Sequence, residues 1–238
     1  MPVPDASDVG RLADVVLARF TKISLDAVEP GVVGPFWAAA LDLRWDPADN
    51  GEGGVVDGPR PVLWVNAVPD PKQSKHRVHL DIYTDCLADL QALGSTVVLP
   101  QGDDRGWTVM ADPEGGEYCA FLRPGPPAPR LHGLVVDCAQ PARLATFWAG
   151  VVGGRVVHDP RNYSTVEDAP GMAFTFDFVP VPEPKSGPNR VHWDLAADDA
   201  AGLVAAGAAV VREPGADIDW YVLADPEGNE FCVRLAHR

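Results

Sequence analysis

The sequence predicts an α+β protein made of four β-α-β-β-β modules, two in each of two consecutive repeats. Residues 77–122 align without a gap on residues 190–235, and about half of the aligned positions are identical. Strand, helix and turn patterns follow one another in the same order in both repeats. A fixed internal repeat of this kind indicates duplicated structural units. With 238 residues, 46% of them hydrophobic, the chain is long enough to give each unit a core.

The first module of each repeat opens with an apolar strand, at about residues 20–27 and 131–138. A short helix follows, opened by a proline and built around Phe36-Trp37 in one repeat and Phe147-Trp148 in the other. Less sharply defined strands come next and end in "PVLWVNAV" and "MAFTFDFV". The order strand, helix, strands completes one module.

The second module starts with an alternating strand, at 76–83 and 189–196. An Ala/Leu-rich helix then ends at Gly94 or Gly207, since glycine commonly terminates helices. Three strands follow, and the last comes after a "DPEG" sequence in both repeats. The Asp-Pro pair with its nearby glycine predicts a tight turn.

The division into domains follows the repeats. Residues 1–19 form an N-terminal extension, in which Leu12, Val15, Val16 and Arg19 have the spacing of an amphipathic helix. The first domain is predicted at 20–123 and the second at 131–238. The linker at 124–130 lies in "RPGPPAPR", whose prolines prevent a continuous helix or strand.

The composition narrows the classes of function. Acidic residues outnumber basic ones 34 to 19, and the formal net charge of −15 disfavours nucleic acid and anionic membranes as partners. The sequence contains no long apolar span and no signal-peptide pattern at its start, which favours a cytoplasmic protein. The four cysteines show no C-x-x-C spacing, so we expect them to be reduced.

Strand periodicity separates an apolar face from a polar face. In "RVHLDIY" the apolar set Val78, Leu80 and Ile82 faces the helix. Arg77, His79, Asp81 and Tyr83 then face the other way, and the last strand adds Glu230, Cys232 and Arg234 to that polar face in the second repeat. By the same parity Trp193 belongs to the core. We expect the polar face to be concave and to carry the functional site.

Three phrases resemble a known family: "PARLATFWAGVVGG", "RVHWDL" and "WYVLADPEGNEFCV". They are similar to the vicinal oxygen chelate superfamily, which includes glyoxalase I, bleomycin resistance proteins, fosfomycin resistance enzymes and extradiol dioxygenases, and especially to its small glyoxalase-like domains of bacteria. The resemblance implies that the four modules pair into two glyoxalase-like domains, each a cupped mixed sheet around one pocket.

The resemblance also implies positions for metal ligands. The first-strand position holds Thr21 in the first repeat and His132 in the second, and the next position holds His79 and His192. The last position, a glutamate in metal-using relatives, holds Cys119 and Cys232. A fourth strand offers Asn66 or Asp177. The second repeat thus keeps His132 and His192, but it lacks a carboxylate ligand unless Asp177 or Glu230 supplies one. We therefore favour no cofactor, and a bound Fe(II), Mn(II) or Zn(II) ion is the alternative.

Several of these residues also have a structural interpretation. His79 and His192 are candidates for acid-base catalysis or ligation, but a histidine beside an aspartate on one strand face is often only hydrogen-bonded. Cys119 and Cys232 are expected to pack, as most small buried thiols do. Ion pairs are expected between Arg77 and Glu117 and between Arg190 and Glu230. The predicted ligand pocket comprises Trp64, His79, Trp107, Cys119, His132, Asp177, His192, Trp220, Glu230 and Cys232.

Two functions of different class follow. The first is metal-free binding or sequestration of a small aromatic or cationic compound, which tryptophans and an acidic surface favour. The alternative is a divalent-metal enzyme of lyase, isomerase or dioxygenase type, with its site in the second domain around His132 and His192. A monomer with paired domains and a homodimer both fit the sequence.

Overall fold

The computed structural model describes residues 16–49, 53–57, 63–103 and 105–236. The first repeat contains β1 (Ala18–Ala27), α1 (Pro30–Leu41), β2 (Arg44–Pro47), β3 (Gly53–Asp57), β4 (Leu63–Ala67), β5 (Val78–Thr84), α2 (Leu87–Ala92), β6 (Thr96–Leu99), β7 (Thr108–Ala111) and β8 (Glu117–Leu122). The second contains β9 (Leu131–Cys138), α3 (Pro141–Val152), β10 (Arg155–His158), β11 (Ser164–Glu167), β12 (Thr175–Pro180), β13 (Val191–Ala197), α4 (Ala201–Ala206), β14 (Ala209–Arg212), β15 (Tyr221–Ala224) and β16 (Glu230–Leu235).

This element order confirms the four β-α-β-β-β modules. The helix predicted in the N-terminal extension falls mainly on residues 1–15, which lie outside the described residues, and residues 18 and 19 already belong to β1. No helix in the described part of the chain is long and apolar enough to cross a membrane.

The modules pair across the two repeats to form two eight-stranded sheets. Sheet A has the order β14-β15-β16-β13-β1-β4-β3-β2 and therefore joins the first module to the fourth. Sheet B has the order β10-β11-β12-β9-β5-β8-β7-β6 and joins the second module to the third. The central strands of each sheet, β1 with β13 and β5 with β9, run antiparallel. Each sheet thus crosses the boundary between residues 20–123 and 131–238.

One continuous apolar core connects both sheets to α1 and α3. Trp193 is fully buried, as its strand parity predicts. Its ring centroid lies 4.9 Å from that of Trp148 on α3, and Phe231 lies 5.0 Å from the same ring. Aromatic side chains of this size bury large apolar areas, so they stabilise the contact between helix and sheet.

The repeated "DPEG" sequence forms the predicted turn and also binds a helix. Asp112 Oδ1 accepts the amide hydrogens of Glu114 and Gly116, while its Oδ2 accepts the indole N–H of Trp37 at 3.3 Å. Asp225 does the same in the second repeat, with Trp148 at 3.2 Å. The turn that precedes β8 or β16 is therefore hydrogen-bonded to the helix of the preceding module.

The glutamate of each turn completes this connection, which we call the helix clamp. The Glu114 carboxylate accepts the amide hydrogens of Val28 and Glu29 at 2.9 and 2.6 Å, just before α1 begins. Glu227 accepts those of Ala139 and Gln140 at 2.6 and 2.7 Å, just before α3. A negative charge is favourable there because unpaired amides and the helix dipole meet at the helix start.

The expected arginine–glutamate ion pairs are wrong. Glu117 pairs with Lys72 at 2.8 Å and Glu230 with Lys185 at 2.7 Å, because the proline-rich loops ahead of β5 and β13 bring these lysines to the glutamates. The arginines instead bind main-chain oxygens of the other repeat. Arg77 donates to the carbonyl of Asp137 at 2.8 Å, and Arg190 donates to that of Asp26 at 3.1 Å.

Candidate functional site

Each sheet has one polar face over its central strands, and we call these faces cup A and cup B. Cup A is the polar face of β16, β13, β1 and β4, and cup B is that of β8, β5, β9 and β12. Each cup holds a histidine, an aspartate and a cysteine whose ligand atoms lie within 4.8 Å of one another. The sets are His192, Asp194 and Cys232 in cup A, and His79, Asp81 and Cys119 in cup B.

In cup B, His79 lies between an acid and a thiol. Its Nε2 is 3.4 Å from Asp81 Oδ1 and 3.6 Å from Cys119 Sγ. Burial alone would lower the pKa of His79, but the hydrogen bond and charge of Asp81 outweigh it and raise that pKa. Burial, reinforced by Asp81, raises the pKa of the Cys119 thiol far above its usual value. Cys119 is thus a neutral thiol at physiological pH.

A second carboxylate, Asp177, contributes to the same cup from β12. Its two oxygens accept the hydroxyl hydrogens of Thr165 and Thr175, both at 2.6 Å. Burial raises the pKa of Asp177, although the two hydroxyl groups oppose this effect. Gly133 leaves the space for this carboxylate, because a Cβ there would lie 2.7 Å from Asp177 Oδ2.

An aromatic group lies in the same cup. The ring centroid of His132 is 4.5 Å from that of Tyr83 and 5.4 Å from that of Phe121, and Trp107 lies 5.6 Å from Phe121. All four rings are partly exposed. We call Tyr83, Trp107, Phe121 and His132 the aromatic group of cup B. Flat surfaces of this kind stack well on planar or cationic molecules.

Cup A carries a lysine among its acidic and aromatic side chains. Lys22 Nζ lies 3.1 Å from Asp194 Oδ2 and 5.6 Å from the ring centroid of Trp64. The hydroxyl of Ser24 donates to Asp194 Oδ1 at 3.2 Å. Burial raises the pKa of Cys232 to about 12. Near the start of β15, the Arg234 guanidinium lies 4.6 Å from the Trp220 ring centroid.

Strand register shows which residues correspond between the cups. Lys22 pairs with Asp194 across β1 and β13, whereas Gly133 pairs with Asp81 across β9 and β5. On the neighbouring strand of each sheet, Trp64 of cup A pairs with a residue of β1, and Asp177 of cup B pairs with the equivalent residue of β9. Cup A therefore has a lysine and a tryptophan where cup B has a glycine and an aspartate.

The structure separates the two histidines of the predicted metal set. His132 lies on β9 in cup B and His192 lies on β13 in cup A, so they do not belong to one site. Asp177 lies with His132, while Glu230 in cup A is bound by Lys185 and by the amide of Asn189. The two histidines lie in different cups because the modules pair across the repeats.

The remaining predicted pocket residues divide between the cups: His79, Trp107 and Cys119 lie in cup B, and Trp64, Trp220 and Cys232 in cup A. The predicted pocket omitted Asp81, Asp194, Lys22, Tyr83 and Phe121. The parity that places His79 on the polar face also places Asp81 and Tyr83 there, so alternation alone identifies those two.

Paired modules with a polar cup on each sheet define a tandem fold of the vicinal oxygen chelate type. The family model described as glyoxalase-like domain matches residues 22–121 and again 133–234. The chain therefore belongs to the glyoxalase-like domain family. A search of curated proteins finds no match.

Solved structures agree on the fold. Glyoxalase I from Zea mays is 14% identical, with 91% of this chain and 92% of that chain covered and a TM-score of 0.64. A Bacillus subtilis protein described as a dioxygenase candidate is 13% identical, with coverage of 92% and 86% and a TM-score of 0.62. At such low identity the likeness establishes a shared fold.

Proposed function

We propose that this protein binds a small aromatic cation in cup B without a metal ion and sequesters it. The observation that carries the proposal is the aromatic group of cup B, which lies on the same face as the partly buried carboxylates of Asp81 and Asp177. Stacking surfaces next to partly buried acids suit a molecule that is both planar and positively charged.

Asp81 is the acid that would receive the positive charge. Its Oδ1 lies 3.4 Å from His79 Nε2, and no lysine or arginine forms an ion pair with Asp81 among the described residues. The contact with His79 is long for a hydrogen bond, and a carboxylate oxygen can accept a second donor, so a cationic group could bind Asp81 as well. Both oxygens of Asp177 already accept hydroxyl hydrogens, so Asp177 adds negative charge to the cup.

Cup A is unsuited to the same ligand. Its aspartate, Asp194, is already paired with the Lys22 ammonium at 3.1 Å. A second cation there would meet the like charge of Lys22. We therefore expect one cation-binding site per chain, in cup B.

Binding is tested by tryptophan fluorescence and calorimetry with a panel of planar aromatic amines, bleomycin and matched aromatic carboxylates. We expect at least one cationic member to bind with one site per chain and the carboxylates to bind more weakly. Asp81→Asn should weaken cation binding about tenfold or more, since it removes a partly buried charge partner. Asp194→Asn is the matched control in cup A and should leave that binding unchanged.

Two outcomes would contradict the proposal. One is a panel in which cations bind no better than carboxylates. The other is equal loss of binding in the Asp81 and Asp194 variants, since it would show that cup B has no special role.

A metal-dependent function is the second candidate, because the donors in each cup converge. Imidazole nitrogen, carboxylate oxygen and thiolate sulfur are ligands that Zn(II) accepts, and in cup B the aspartate of the set is not paired with a lysine among the described residues. His79, Asp81 and Cys119 would hold such an ion, which would act as a Lewis acid on substrate oxygens. Binding would require Cys119 to lose its proton, and the environment of the thiol opposes that loss.

Elemental analysis distinguishes the two candidates. Untagged protein is incubated with Zn(II), Fe(II) or Mn(II), freed of excess metal and analysed. We expect well under one ion per chain. One tightly held ion, lost in His79→Ala and retained in His192→Ala, would replace sequestration by the metal-dependent function in cup B.

A further inference from the structure

Outside both cups, a small cavity lies between the two sheets, where the turn of the first repeat meets α1. Its polar end is lined by His76, Asp112 and Gly116, and its apolar end by residues that include Leu63 and Leu80. The cavity has room for about one water molecule.

Two polar groups border this cavity with unused hydrogen-bonding capacity. His76 is 8% exposed, and its Nε2 is a buried atom with no hydrogen-bond partner among the described residues. Asp112 Oδ2 accepts the indole N–H of Trp37 at 3.3 Å, and a carboxylate oxygen can accept a second donor. A buried ring nitrogen without a partner is destabilising, so a ligand that donates to it is favoured.

In the second repeat, side-chain hydrogen bonds link the equivalent polar groups to one another. Asn229 stands at the position equivalent to Gly116, and its amide donates to Asp225 Oδ1 and Oδ2 at 3.1 and 3.0 Å. The oxygen of Asn229 accepts from Asn189, the equivalent of His76, at 3.1 Å. Side-chain hydrogen bonds thus run without interruption from Trp148 through Asp225 to Asn189.

In the first repeat, glycine replaces that asparagine, and the carboxylate and the imidazole lie against it. A Cβ on Gly116 would lie only 2.7 Å from Asp112 Oδ2 and 2.8 Å from His76 Cε1. The free space that is left there is the small cavity lined by His76, Asp112 and Gly116. At the apolar end, the smaller Leu80 stands where the second repeat has Trp193.

We infer that this cavity is a binding site for one buried water molecule, which does in the first repeat what the Asn229 amide does in the second. The water donates one hydrogen to Asp112 Oδ2 and the other to His76 Nε2. His76 then carries its own proton on Nδ1. Burial lowers the pKa of His76 to about 4, in agreement with a neutral imidazole that accepts this hydrogen bond.

The test is water–protein nuclear Overhauser spectroscopy on the isotope-labelled full chain. In the wild type we expect a long-lived water signal at the amide of position 116 and at the His76 ring protons. The double variant His76→Asn/Gly116→Asn copies the side chains of the second repeat and should lose the signal at position 116. The control His158→Asn/Gly187→Asn makes the same two replacements at exposed positions and should retain the wild-type signal.

A crystal structure of the wild type provides a second measurement that does not depend on the variant folding. We expect a single water within hydrogen-bond distance of both Asp112 Oδ2 and His76 Nε2. The inference is overturned if both wild-type measurements find the cavity dry. It is also overturned if a folded double variant keeps the water signal at position 116.

Discussion

Among individual residues, the cysteines differ in what their surroundings do to the thiol. Cys86 is exposed, whereas Cys119 and Cys138 are buried and Cys232 is partly so. Burial raises the pKa of Cys138 and that of Cys232 to about 12, and that of Cys119 further. Since the thiolate is the reactive form, the three thiols lining the sheets are chemically protected.

We expect iodoacetamide at about pH 8 to alkylate Cys86 alone in the folded protein. Mass spectrometry with peptide mapping measures the sites, and the same reaction in denaturant should label all four cysteines. Rapid labelling of Cys119 or Cys232 in the folded protein would contradict the protected environment described for the cups.

His76 should make stability depend on pH in a defined direction. Burial lowers its pKa to about 4, Glu117 opposes this effect, and Lys72, His79 and Arg190 reinforce it. The unfolded chain has a histidine pKa of about 6.5, so between about pH 6.5 and 4 the unfolded state binds the proton more readily. The stability associated with neutral His76 is therefore complete above this window and is lost as the pH falls through it.

His76→Asn should accordingly reduce the loss of unfolding free energy between about pH 7 and about pH 5, as measured by urea denaturation. His158→Asn, on the exposed strand β10, is the control and should lose stability like the wild type. An unchanged pH dependence in the His76 variant would show that the imidazole does not contribute in this way.

At the scale of elements, the helix clamp is the contact that the sequence pattern least reveals. "DPEG" predicts a turn, and both turns form. Nothing in local spacing indicates that Glu114 reaches amides 85 and 86 positions earlier, because that contact depends on how two modules pack. Trp193, in contrast, follows from alternation, since strand parity is a local property.

Removing one clamp should destabilise the protein measurably. Glu227→Ala leaves the amides of Ala139 and Gln140 without their carboxylate, and we expect a loss of about 1 kcal/mol in the free energy of unfolding. Urea denaturation measures the change, and Glu213→Ala at an exposed position should lie within about 0.5 kcal/mol of the wild type. A Glu227 variant as stable as that control would mean that the clamp adds no net stability.

At the scale of the whole molecule, pairing across repeats explains which site predictions failed. The four modules and their order could be predicted from local patterns and from the duplication. Which modules share a sheet could not, because β1 pairs with β13 over more than 160 residues and the pairing surfaces of the four modules look alike in sequence. His132 and His192 were therefore assigned to one site although they belong to different cups.

Severing the chain within the linker should leave the halves dependent on each other. Residues 1–123 and 131–238 each contain half of sheet A and half of sheet B, so we expect neither to be a folded monomer alone. Co-expressed halves should purify as a one-to-one complex with the circular dichroism spectrum of the intact protein. A single half that unfolds cooperatively as a monomer would contradict this expectation.

The exchange of modules also constrains how the chain can diversify. Each cup takes one wall from each repeat, so a recombination event that replaces a whole repeat alters both binding sites at once and renews neither completely. Point substitution in a single module acts on one cup alone, as Lys22 and Gly133 illustrate. Substitutions within a module can therefore change one cup independently of the other, whereas a replaced repeat leaves half of each pocket as it was.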